Sequence, residues 1–186
     1  MKGYLTIITL VVIIVTANID ILCPRDRGRD FGDVLEEQMN LCSVVYYTDS
    51  NFGFKVPYPA LFIPDKSIPD SVIGCSRFSY DNVINMAIDC YVCRNEGYSD
   101  ADGGISWLAE KMRAEVIEDK GDVFLHGPLT EDGGRVDGYS HFTKCVAKDK
   151  LWVIYSLTYP DMYADRLLRL FSMVRTWQPW EKGTTP

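Results

Sequence analysis

Six cysteines, at positions 23, 42, 75, 90, 93 and 145, and two histidines, His126 and His141, are the side chains of this 186-residue chain best suited to covalent or metal chemistry. In an oxidising compartment such a cysteine set points to disulfides. The apolar runs on either side of Asp81-Asn82 read as a hairpin. With a four-residue loop, Asp81 to Ile84, Cys75 falls opposite Cys90 and the pair becomes the candidate disulfide. Free core thiols are the plainer alternative. Cys90-Tyr91-Val92-Cys93 has dithiol spacing, but redox catalysis needs the first thiolate at a helix N-terminus, and strand alternation sends residues three apart to opposite faces. A zinc site would have to recruit His141 and Cys145 from a distant strand at no recognised spacing, so no metal and no cofactor is expected.

His126 and His141 lie where two strands of a meander place them face to face across one hairpin, as an acid/base pair or as metal ligands. That geometry would suit a small hydrolase or metal-dependent enzyme, with Cys145 nearby. Against it, Gly138-Tyr139-Ser140-His141 is not a nucleophile elbow, and no catalytic set accompanies the histidines. Asp100, Asp102 and Gly103 resemble the start of a calcium loop, but Ile105 stands where glycine is required and Lys111 where the bidentate Glu belongs. Among the aromatics, Tyr58 and Phe62 sit in a proline-punctuated loop and Trp107 on the polar side of a helix. These three are the candidate exposed anchors of a binding surface.

The elements that must position these groups follow from periodicity. Val44 to Tyr47 turns at Asp49-Ser50-Asn51 into an alternating strand, Phe52 to Val56, which Pro57 and Pro59 are expected to end. A second hairpin spans Cys75 to Val92. Asp100 to Gly104 opens an amphipathic helix whose stripe is Ile105, Leu108, Ala109, Met112 and Val116. Val123–Leu125, Val136–Ala147 and Leu151–Tyr159 form a meander, and a helix from Asp161 to Trp177 closes the chain. The expected architecture is α+β: a mostly antiparallel sheet of about six strands flanked by helices, an α/β/α sandwich over residues 43–180.

The amino end carries Lys2 and then an apolar run from Tyr4 to Val15, too short for a comfortable membrane anchor. Residues 1–17 are expected to be a signal peptide cut after Ala17. Residues 18–42 are read as a tether with a short helix from Phe31 to Met39, and 181–186 as a disordered tail. Cys23 follows the apolar run closely enough to raise lipidation, although Asp20 and Leu22 fit that signal poorly. The protein is thus expected to be exported, to the periplasm, the outer envelope or the medium, touching a membrane only through such an anchor. A net charge of −7, with no basic patch, argues against nucleic acid as a partner.

Two phrases carry a family resemblance. Phe52-Gly53-Phe54-Lys55-Val56-Pro57-Tyr58-Pro59 resembles the first strand, F-x-F-x-x-P, of the PsbP-like group, which includes the Mog family of Ran-binding proteins. Trp152 to Tyr159, followed by a helix, is similar to the group's last strand and closing helix. The resemblance spans Val44 to Trp180; it implies an accessory or binding role towards a protein or small ligand, and no site residue carries over.

Overall fold

The computed structural model describes residues 28–66, 74–94, 101–148 and 150–180. The signal peptide, Cys23, the first part of the tether and the tail lie outside the described residues. Helix α1 (Phe31–Leu41) begins at Asp30, whose carboxylate accepts from the Gly32 amide at 2.8 Å, and it buries Leu35 and Met39 completely. The helical part of the segment read as a tether is therefore built into the fold. From the closing helix, the Arg169 guanidinium donates to the carbonyls of Met39 and Cys42 and so caps α1.

Strands β1 (Val44–Thr48) and β2 (Lys55–Pro59) form a separate two-stranded ribbon. The strand continues through Pro57 and Pro59, contrary to the expectation that they end it. Lys55, Pro57 and Pro59 share one parity, and their backbone groups find partners outside β1: the Lys55 amide donates to Pro179, and the carbonyls of Lys55, Pro57 and Pro59 accept from Trp177, Tyr155 and Phe62. A missing N–H there costs no ladder bond. The alternate residues Phe54, Val56 and Tyr58 go into the core.

The main sheet has seven strands in the order β3-β4-β5-β9-β8-β7-β6, all neighbours antiparallel. They are β3 (Ile63–Pro64), β4 (Cys75–Asp81), β5 (Asn85–Arg94), β6 (Glu115–Asp119), β7 (Asp122–Glu131), β8 (Gly134–Lys148) and β9 (Leu151–Pro160). The β6–β7 and β7–β8 connections are two-residue turns, Lys120-Gly121 and Asp132-Gly133, with positive φ at both positions, as the twist of a tight hairpin requires. Helix α2 (Ala101–Met112) packs on one face; α1, the ribbon and α3 (Leu168–Thr176) cover the other. The expected single closing helix is instead a 3-10 turn (Asp161–Arg166) and α3, separated at Leu167, whose amide bonds to Ala164. No described helix is long and apolar enough to cross a membrane.

Coverage of the two faces is unequal. The larger core, including Phe78, Ile88, Cys90, Phe142, Tyr155 and Leu157, lies under the ribbon, α1 and α3. On the opposite face α2 covers only a patch of Leu125, Cys145, Trp152 and Ile154. The rest of that face is the floor of an open groove.

Candidate functional site

The groove has a volume of about 770 Å3, and the strand registers explain its shape. One row runs straight across five strands: Ser79 pairs with Ala87, Ala87 with Thr158, Thr158 with His141, and His141 with Gly127. Four of these five residues are small, so the row is a trough perpendicular to the strands. The neighbouring row is Arg77, Asp89, Ser156, Thr143 and Leu125. There Arg77 holds Asp89 in a two-pronged ion pair at 2.6 and 3.0 Å, which raises the Arg77 pKa. The far wall comes from a β-bulge, where Leu129 opposes residues 136–139 and Val136 and Tyr139 rise at its side.

The trough closes at its Gly127 end. A Cβ there would stand 2.7 Å from the Arg113 carbonyl oxygen and 2.9 Å from the Ala114 Cα, so the turn leaving α2 rests directly on the glycine. Beside it lies His141, only 4% exposed. Its Nδ1 is 3.0 Å from Thr143 Oγ1, which is 2.7 Å from Ser156 Oγ. Nε2 is buried without a hydrogen-bond partner among the described residues. Burial holds the His141 pKa below its ordinary value; the Met112 backbone beside the ring acts in the opposite direction, and the charge of His126 adds to the effect of burial.

Because the folded pKa is depressed, the unfolded chain binds more protons just below pH 6.5, the ordinary value of the ring. Stability from this group is complete above 6.5 and is lost as pH falls through the folded pKa. Urea unfolding at pH 7.5 and 5.0 should show wild type losing more stability than His141→Gln; equal losses would show that His141 does not report burial.

The histidine pair anticipated from the sequence does not form. His126 pairs with Phe142 and His141 with Gly127, a one-residue offset that puts the two rings on opposite faces of the sheet. His126 is engaged instead with the Tyr159 hydroxyl at 3.0 Å, on the side of the larger core. The same offset separates the candidate disulfide. The loop holds three residues, Asp81 pairs with Asn85, Cys75 with Tyr91 and Ser76 with Cys90, so Cys75 and Cys90 face opposite ways. All five described cysteines are free thiols. Burial raises the pKa of each of Cys75, Cys90 and Cys93, and that of Cys145 to about 12.

Two of the three candidate anchors are core residues. Tyr58 stacks on Phe78 with ring centroids 3.9 Å apart, and Phe62 is 2% exposed and packs near Tyr80. The turns around them follow the prolines back onto the sheet, so the loop offers no apolar surface at these rings. Trp107 is 39% exposed, and the ammonium of Lys111, a groove residue, sits 5.0 Å from its ring centre. Sequence reasoning missed the trough altogether, because its floor is a row of unremarkable residues from five strands.

No family model and no curated protein matches the chain by sequence. Solved structures do resemble it. The Ran-binding protein Mog1p of Saccharomyces cerevisiae aligns with a TM-score of 0.52 at 8% identity, over 72% of this chain and 93% of that one. Cyanobacterial PsbP of Synechocystis aligns at 0.47 and 14% identity, over 75% and 94%, and a Pseudomonas aeruginosa protein of unknown function at 0.46 and 10%, over 75% and 99%. At these identities the likeness concerns architecture alone: the chain has the PsbP-like α+β fold.

Proposed function

We propose that this chain is an exported, noncatalytic binding or accessory protein whose ligand lies in the trough across the sheet. The observation that carries the reading is the trough itself: a small-residue floor, hydroxyls along it, and a buried His141 nitrogen without a partner at its closed end. A sheet face left half-covered beside a fully covered one is where a fold can take a partner without disturbing its core. The separation of His126 from His141 removes the acid/base pair on which an enzymatic reading would rest. Export is supported by the cationic start and apolar run of the first seventeen residues.

The test uses the mature chain as bait against extract and medium, in parallel with Ala87→Trp, which fills the trough from its half-buried floor. The wild-type chain should recover one recurrent partner or ligand that the filled variant loses. Equal recovery by both would sink the trough as the binding seat. Intact mass of the native protein tests the processing: a chain starting at Asn18 is expected, and a diacylated chain starting at Cys23 would replace free secretion with an anchor.

A further inference from the structure

The trough has a length, a floor chemistry and a rim charge, and together they select a class of occupant; this inference rests on the trough being the binding seat. From Ser79 to His141 the open row crosses three interstrand steps of about 4.8 Å, roughly 14 Å. That is the span of about four residues of extended polypeptide at about 3.3 Å each. Ser79, Ala87 and Thr158 on the floor leave room for a backbone to lie close, and the hydroxyls of Ser79, Ser156 and Thr158 offer it hydrogen bonds. Nε2 of His141, buried and without a partner among the described residues, ends the row.

The rim is acidic. The groove is lined by four carboxylates, Asp65, Asp81, Asp89 and Glu131, against two cations, Arg77 and Lys111. Arg77 and Asp89 neutralise each other and Lys111 lies over Trp107, so the carboxylates set to meet a cation are Asp81 and Glu131. Asp81 and Glu131 stand exposed on the side away from α2. The chain as a whole, at −7, adds a field of the same sign.

We propose that the trough seats an extended, cationic segment of polypeptide, its backbone on the small-residue floor and its lysine or arginine side chains reaching Asp81 and Glu131 on the rim. An acidic segment meets like charge along the rim, and a compact ligand leaves most of the row unfilled.

The experiment titrates the isotopically labelled chain with acetyl-(Lys-Ala)3-amide and follows backbone amide shifts, with acetyl-(Glu-Ala)3-amide, acetyl-(Ser-Ala)3-amide and spermidine as comparisons. The lysine peptide should shift Ser79, Ala87, Thr158 and His141 and bind at least tenfold more tightly than the other three. Raising NaCl from 50 to 500 mM should weaken it severalfold. Ala87→Trp should weaken it at least tenfold, and Ser79→Trp, filling the trough at its open end one strand away, should do the same if the first variant is poorly folded. Tighter or equal binding of the glutamate or serine peptide in the trough overturns the cationic class and leaves the trough as binding seat. Equal binding of spermidine replaces polypeptide with a free polyamine. A dimer that Ala87→Trp dissociates names a second copy as the occupant and overturns the proposal. If no peptide shifts these amides while the filled variant still loses its captured partner, this inference fails and the broader binding reading stands.

Discussion

Lys144→Ala should cost about 3 kcal/mol of folding stability, at the lower edge of what removal of one member of a buried ion pair costs. Lys144 is completely buried on β8, yet its ammonium reaches two partners: Asp122 Oδ2 at 2.8 Å and the Arg175 carbonyl at 3.0 Å, in the last turn of α3. It thereby ties the closing helix to the sheet with a cation at the negative end of the helix. Its stem passes the Phe124 ring, with Nζ 5.6 Å from the centre, while the Arg175 guanidinium packs over Phe124 and Phe142. Alanine opens a cavity, leaves a carbonyl without its donor and frees Asp122. Asp122, whose side chain is 41% exposed, regains water, which holds the loss to the lower edge of the range. Lys144→Met refills the volume but not the hydrogen bonds, and should lose only about 1–2 kcal/mol. Urea denaturation of both variants checks the order; methionine no better than alanine would mean that charge, not packing, dominates.

Gly127→Ala should cost about 1–3 kcal/mol, the usual penalty for a methyl group with no room. The atoms it meets are backbone, and Arg113 already sits at a positive φ of 51°, so the turn after α2 can yield only by lifting from the sheet. That lift admits water to His141. The imidazole titration, followed by NMR of its ring protons, should therefore begin below the ordinary value in the wild type and move up towards it in the variant. Unchanged stability with an unchanged titration would show that the turn does not seal the ring.

Much of the fold was legible from the chain because its strands obey simple rules. Six of the nine residues from Leu151 to Tyr159 are β-branched or aromatic, and the strand occupies the centre of the sheet with strands on both sides. The F-x-F-x-x-P phrase marked β2 and its inward residues. Strand β6 was missed: Val116 falls on the same helical stripe as Ile105 and Met112, and only the break at Arg113–Ala114 shows that the helix has ended. Strand β3, two residues long, has no period to detect. The sheet thus reached seven strands with a separate ribbon where about six strands in all were expected.

The site was illegible for a different reason. Side-chain direction in a sheet alternates with every residue, so a loop one residue shorter than assumed reverses every facing relation across the hairpin. That single step set Cys75 and Cys90 apart, and an equal offset parted His126 from His141. The trough needs four registers to be correct at once, which composition cannot supply.

The placement of the thiols has a bearing on how the chain matures. Cys90 is walled off on one side of the sheet and Cys75, Cys93 and Cys145 lie on the other, and burial raises the pKa of all four, so the folded sheet keeps Cys90 out of reach of the other three. An unfinished chain has no such wall. Under oxidising conditions a bond between Cys75 and Cys90 can form only before the sheet closes or after it opens, so cross-linked chains are a chemical record of folding that came too late.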